Sequence, residues 1–187
     1  MRKLVYAINV TLDGFANHEA AVADDELHEF YTGLLREADA VIYGRVIYEL
    51  MASYWPFAAD NPSSTPSEIE FANELNAIPK IVFSKTLAGV EWNNARLSKA
   101  NAVEEVLKLK GQPGKDLLIG GLSLASTFVN FGLIDEYWFL IQPIVLGSGK
   151  PLFKDLHKKV PLKLIETKTF KSGVVVLHYQ ANPEMNQ

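Results

Sequence analysis

Asp116-Leu117-Leu118-Ile119-Gly120-Gly121-Leu122-Ser123-Leu124-Ala125-Ser126-Thr127-Phe128-Val129 runs from a short apolar strand, through two glycines, into a helix. Glycine at such a junction lets a ligand come close to the backbone, because no Cβ stands in the way. The first N–H groups of the following helix lack intrahelical acceptors, and the positive end of its dipole favours an anion. Tyr43-Gly44-Arg45 is a second junction of similar shape and adds a cation.

Working outward from these junctions, strands alternate with helices. Lys3 to Thr11 is β-branched and almost continuously apolar, the pattern of a strand buried on both faces. Leu12-Asp13-Gly14-Phe15 breaks it. Asp24-Asp25 predicts an N-cap, followed by Leu27, Phe30, Tyr31, Leu34 and Leu35 at helical spacing. Ala38 to Tyr43 reads as a second strand, Arg45 to Met51 as a helix, Pro56 to Pro66 as a surface loop and Glu68 to Leu75 as a helix. Lys80 to Ser84 is a third strand. Ser98 and Asn101 are candidate caps for a helix through Val103, Val106, Leu107 and Leu109, and Asp116 to Ile119 is a fourth strand.

After the Gly120-Gly121 helix comes an apolar strand, Trp138 to Leu146, in which Pro143 predicts an edge or a bulge. Leu162 to Phe170 and Val174 to Tyr179, joined by Lys171-Ser172-Gly173, predict an antiparallel hairpin. The pattern as a whole is an α/β domain over residues 1–187, with a mostly parallel sheet and an antiparallel C-terminal hairpin. Such sheets bind ligands at the carboxyl ends of their strands, where three of the glycine or serine junctions fall.

Composition narrows the function. At 187 residues, 48% hydrophobic and 21% charged, the chain is long enough for a sizeable core. A net charge of −4 argues against a nucleic-acid partner. With no cysteine there is no disulfide, thiolate zinc site or cysteine nucleophile. The four histidines show no metal-ligand spacing, so no metal is expected. The N-terminus lacks a signal-peptide pattern, and no run approaches the roughly 18 apolar residues of a membrane span, so a cytoplasmic protein is expected.

Three constellations carry chemistry. Gly44-Arg45 opens a helix after a buried strand, as a phosphate site does, or as a packing glycine before a solvated arginine does. Ser84-Lys85-Thr86 follows a strand end and suits either a second phosphate or a polar turn. Pro143-Ile144-Val145-Leu146-Gly147-Ser148-Gly149-Lys150 turns the chain and could wall a ligand cleft. The P-loop spacing, a G-x-G-x-x-G fingerprint and a G-x-S-x-G elbow are all missing.

These motifs, in this order, resemble the dihydrofolate reductase-like superfamily. They are Thr11-Leu12-Asp13-Gly14-Phe15, Tyr43-Gly44-Arg45-Val46-Ile47-Tyr48-Glu49, Ile119-Gly120-Gly121, Gly132-Leu133-Ile134-Asp135-Glu136 and Pro143 to Phe153. The chain is most similar to the reductase domain of the bifunctional riboflavin-biosynthesis deaminase-reductase and its stand-alone relatives. The resemblance implies a three-layer fold and NADPH lying across the strand ends. It places Gly44 and Arg45 at the pyrophosphate and 2′-phosphate, Ser84 and Lys85 at the adenosine 2′-phosphate, and Gly120, Gly121, Leu122 and Ser123 along the pyrophosphate and nicotinamide. Asp13 and Gly14 fall beside the nicotinamide, and Leu146 and Gly147 border the substrate cleft. It also implies a homodimer, with the apolar Tyr137 to Leu146 strand as a contact.

The expected activity is NADPH-dependent reduction of a small heterocycle, resembling 5-amino-6-(5-phosphoribosylamino)uracil reductase or dihydrofolate reductase. Asp13, or a water it orients, is the candidate proton donor, and Asp13 is equally suited to forming the turn before Gly14. The carboxylate that classical dihydrofolate reductases carry early in their first helix has no clean counterpart; His28, Asp25 and Glu29 fall near its place. The alternatives are a non-catalytic nucleotide-binding protein that keeps the fold and, third, a flavin-binding protein.

Overall fold

The computed structural model describes residues 1–182; the last five positions of the expected 1–187 domain lie outside the described residues. Its strands are β1 (Leu4–Thr11), β2 (Ala38–Gly44), β3 (Lys80–Phe83), β4 (Ala95–Ser98), β5 (Asp116–Gly120), β6 (Glu136–Gln142), β7 (Leu162–Thr169) and β8 (Val175–Ala181). They form one eight-stranded sheet in the order β4-β3-β2-β5-β1-β6-β8-β7. Pairing is parallel from β4 to β6, and β8 runs antiparallel to both β6 and β7.

The helices are α1 (Asp25–Arg36), α2 (Arg45–Ala52), α3 (Trp55–Ala58), α4 (Pro66–Ala77), α5 (Ala102–Lys110) and α6 (Leu122–Asn130). They cover both faces of the sheet. Leu4, Tyr6 and Val10 of β1 point to one side, where Val106 of α5 and Phe128 of α6 pack on them. Val5 points to the other, into a cluster with Leu35 of α1, Tyr48 of α2 and Phe71 of α4. Burial from two sides is why the central strands read as continuous apolar runs. Three of these helix starts carry side-chain caps, and those of α1 and α5 are ones the sequence suggests. Asp24 accepts from the Leu27 N–H, Thr65 from that of Glu68, and Asn101 from those of Val103 and Glu104.

Four expectations change. β6 stops at Gln142, because Pro143 has no N–H with which to continue the ladder. β6 also lies between β1 and β8, so it is an interior strand, and Pro143 marks its end and not a sheet edge. Ser98 does not cap α5; it closes β4, a strand the sequence does not announce. The loop from Pro56 to Pro66 begins within α3, and α4 is longer at both ends than the predicted Glu68 to Leu75.

Candidate cofactor and substrate site

The carboxyl ends of β2 and β5 are neighbours, with Tyr43 opposite Gly120, so α2 and α6 begin side by side. Gly44 is the N-cap of α2 and Gly121 that of α6, neither with a side-chain cap. Two adjacent helix starts whose first N–H groups lack side-chain acceptors leave those donors available to an anion. The glycines serve different ends. A Cβ at Gly44 would meet only Leu124, at an ordinary 3.6 Å, so that position is kept open rather than filled. A Cβ at Gly120 would lie 2.7 Å from the Tyr43 ring, and one at Gly121, where φ is +93°, would lie 2.9 Å from Ile47. The pair is therefore required by close packing against Tyr43 of β2 and Ile47 of α2. Leu122 and Ser123 are the first two residues of α6.

Arg45 opens α2, and its half-exposed guanidinium donates to Glu49 Oε2 at 3.0 Å. A cation at a helix N-terminus opposes the dipole. The exposed ion pair with Glu49 is weak and leaves the guanidinium free to exchange onto a phosphate.

A groove of about 450 Å³ lies between α5 and α6, beside the ends of β3 and β4. Its mouth holds Ser84 and Lys85 from the end of β3 and Ser98 and Lys99 from the end of β4, and its walls include Leu124, Thr127 and Phe131. Phe83 pairs with Ser98, so the two Ser-Lys dipeptides leave the sheet side by side with both lysines exposed. Ser84 Oγ accepts from the N–H groups of Thr86 and Leu87 and so also builds its own turn. Lys99 is the cation that sequence reasoning missed. The duplicated Ser-Lys was a usable signal, but only once β4 is known to pair with β3.

On the far side of β5, Asp13 ties two loops together. Its carboxylate accepts from Thr11 Oγ1 at 2.6 Å, from Gly147 N–H at 2.7 Å and from Leu146 N–H at 3.1 Å. The Thr11 hydroxyl first, and then the Gly147 amide, hold its pKa down at about 2. A carboxyl that stays ionised, with its lone pairs occupied, is an anchor and a poor proton donor. Leu12 N–H to Ile144, Ala16 N–H to Lys150 and Leu152 N–H to Gly14 complete the join. Gly14, at φ +87°, has open space where a side chain would be. Leu146 and Gly147 are thus fixed beside the end of β1.

The sequence profile of the RibD C-terminal domain matches residues 2–176. The chain belongs to the RibD C-terminal domain family. It is 40% identical over 187 residues to the uncharacterized protein YyaP of Bacillus subtilis (strain 168), covering 97% of this chain and 96% of that protein. In fold it is similar to a protein of Shewanella sp. PV-4 named for riboflavin biosynthesis, with a TM-score of 0.75, 22% identity and coverage of 97% and 99% of the two chains. It is also similar to the dihydrofolate reductase of Enterococcus faecalis complexed with NADP(H), with a TM-score of 0.62, 15% identity and 96% coverage of each chain. The fold is dihydrofolate reductase-like.

In this member of the RibD C-terminal domain family the acidic start of the first helix is already in use. Asp25 accepts from Ser67 Oγ at 2.5 Å and from Thr65 Oγ1 at 3.1 Å, which holds its pKa below the ordinary value. His28 stacks on Phe71 and meets Trp55 edge-on, with its Nδ1 buried and without a hydrogen-bond partner among the described residues. Glu29 is exposed. A second cavity, of about 230 Å³, lies at the opposite end of the strands among Glu37, Asp116, Glu136 and Trp138, a lining that repels anions. The carboxyl ends of the strands are where the anion-binding groups converge.

Proposed function

We propose that this protein is an NADPH-dependent oxidoreductase acting on a small heterocyclic substrate. The observation that carries the reading is the row of anion-binding groups across neighbouring strand ends. The Ser-Lys ends of β4 and β3 come first, then the α2 and α6 N-termini over β2 and β5. The row covers about 15 Å at roughly 4.8 Å per strand, and it leads to the loops fixed by Asp13. The cofactor would supply a hydride. The chain would hold the pyrophosphate at Gly44, Gly120, Gly121, Leu122 and Ser123, and the 2′-phosphate among Arg45, Ser84, Lys85 and Lys99. Gly14 would leave room beside the nicotinamide, and Leu146 and Gly147 would border the substrate. Family membership supports a reductase-like function, and the net charge of −4 fits a partner that is not nucleic acid.

Calorimetric titration with NADPH and NADH tests this reading. Charge-assisted bonds are worth about 1.5–3 kcal/mol each, so losing a lysine contact costs roughly tenfold or more in affinity. Lys85→Ala combined with Lys99→Ala should weaken NADPH by about a hundredfold and NADH by less than about twofold. Arg45→Ala should likewise weaken NADPH more than NADH. Equal losses for the two nucleotides would remove these cations from the 2′-phosphate, and failure of the unaltered protein to bind NADPH would end the proposal. The commitment of Asp25 to Ser67 and Thr65 favours the second reading, a nucleotide-binding protein without turnover. NADPH consumption with a pteridine or pyrimidine panel separates the two.

A further inference from the structure

Val5, Ala7, Asn9 and Thr11 alternate onto the face of β1 that carries α1, α2 and α4. β1 has neighbouring strands on both sides, yet the helix layer closes over only part of it. Val5 is buried, whereas Ala7 and Asn9, nearer the carboxyl end, are half-buried. Thr11, beyond them, is buried again and bonded to Asp13. On one side Leu140 of β6, opposite Asn9, shares a sealed cluster with Leu27 of α1. On the other, Ile47 of α2 packs at Gly121, past the end of β5. A half-buried polar side chain in the middle of a sheet, with covered neighbours, marks a place where a ligand reaches the strand.

Hydrogen bonds fix which way the Asn9 carboxamide faces. The Val22 N–H, which can only donate, is accepted by Gln142 Oε1 at 2.8 Å. Gln142 is fully buried, and its Nε2 therefore donates to Asn9 Oδ1 at 3.0 Å. With that oxygen engaged, the free end of Asn9 is its NH2. Nδ2 has no hydrogen-bond partner among the described residues and is not buried. A backbone donor thus settles an orientation that a carboxamide alone leaves open.

The donor stands in the right place for a substrate. Asn9 lies on the strand between β5, which ends at Gly120, and the turn at Leu146 and Gly147 that Asp13 holds beside the end of β1. A neutral donor held in one orientation accepts a ligand that offers a lone pair and rejects one that offers N–H, since two donors would then face each other unpaired.

We propose that Asn9 is a specificity-determining residue that donates from Nδ2 to a lone pair on the edge of the heterocycle, a ring carbonyl oxygen or a ring nitrogen. Gln142 is the positioning residue that keeps this donor turned outward. The inference rests on the reading of the protein as a reductase of a small heterocycle.

5,6-Diaminouracil and 2,4,5,6-tetraaminopyrimidine share a ring frame, and the first offers carbonyl oxygens where the second offers ring nitrogens as acceptors. Calorimetry with both, on protein saturated with NADP⁺ and on protein without it, tests the idea. Asn9→Leu, near-isosteric and at a half-buried position, should weaken the tighter of the two by about fivefold or more while leaving NADP⁺ affinity unchanged. Which compound suffers the loss identifies the acceptor. Gln142→Met keeps the buried volume but frees the Asn9 amide to rotate, and should cost the same compound about threefold or more. In the Asn9→Leu background Gln142→Met should cost nothing further, because Gln142 acts through Asn9. Additive losses would overturn the positioning role and leave Gln142 as a tie to the loop at Val22. Affinities within about twofold of the parent for both compounds in Asn9→Leu, or no binding of either to the parent, would overturn the proposal. Absence of NADP⁺ binding would instead refute the cofactor reading, and the pair measured without nucleotide would still decide this one.

Discussion

Asp13 shows how far a single residue's chemistry can be read before its neighbours are known. The sequence leaves it between a turn-former and an acid. Its bonds to Thr11, Leu146 and Gly147 make it a clamp, with a pKa of about 2. A carboxyl lowered on folding stabilises the native state above its unfolded pKa of about 3.9, and that contribution fades as pH falls through the folded value. Asp13→Asn keeps one acceptor but presents an amide group to the Gly147 N–H. The variant should therefore be less stable than the parent at every pH above about 4, with the gap closing between about pH 4 and pH 2. Urea midpoints measured across that range check this, and a gap that persists unchanged at pH 2 would contradict an ionic clamp. The same low pKa predicts that Asp13 contributes no limb to a pH–rate profile near neutrality.

Lys80 acts on whole elements. Fully buried at the start of β3, its Nζ donates to the carbonyls of Asn76, Ile78 and Asn93, at 3.2, 2.9 and 3.0 Å, and lies 4.6 Å from the centre of the Trp92 ring. It thereby satisfies the end of α4 and the turn that leads into β4. Lys80→Met keeps the aliphatic stem but strands three carbonyls. At about 1–3 kcal/mol for a buried polar group left unpaired, and with some of the three reaching water, the variant should lose about 2–4 kcal/mol. Urea denaturation with an unchanged m-value would show this as a shift in midpoint. A loss below about 0.5 kcal/mol would mean that water replaces the ammonium without cost.

Which elements were legible follows from burial. β1, β2 and β5 are covered on both faces and announce themselves as apolar runs, and Asp24 and Asn101 announce their helices by capping. β4 is a four-residue edge strand, Ala95-Arg96-Leu97-Ser98, half exposed and without alternation, and Lys99 was missed along with it. Pro143 marked a break, but only the pairing of Thr11 with Gln142 locates it as the end of the strand. The contacts of Gly120 with Tyr43 and of Gly121 with Ile47 join segments distant in sequence, so the packing need for the glycine pair was invisible there.

For the whole molecule, the sheet is continuous from β4 to β7, and the groups assigned to the cofactor come from β3, β4, α2 and α6. A ligand held by so many parts of one sheet stabilises all of them together. Binding to the native state alone adds RT ln(1 + [L]/Kd), about 2.7 kcal/mol at a hundredfold excess over Kd. For a chain of this size each kcal/mol raises Tm by about 2–4 °C, so NADPH at that excess should raise it by roughly 5–11 °C. The rise should appear as one transition, coincident in far-UV circular dichroism and in the fluorescence of Trp55, Trp92 and Trp138, all of which belong to or pack against the cluster beneath α1 and α4. NADH at the same concentration should give a smaller rise, since it lacks the phosphate that Lys85 and Lys99 are assigned to hold. Two transitions, with NADPH moving only one, would mean that the β4-β3-β2 side unfolds as a separate unit, and that the cofactor groups stabilise that side without the substrate loops fixed by Asp13.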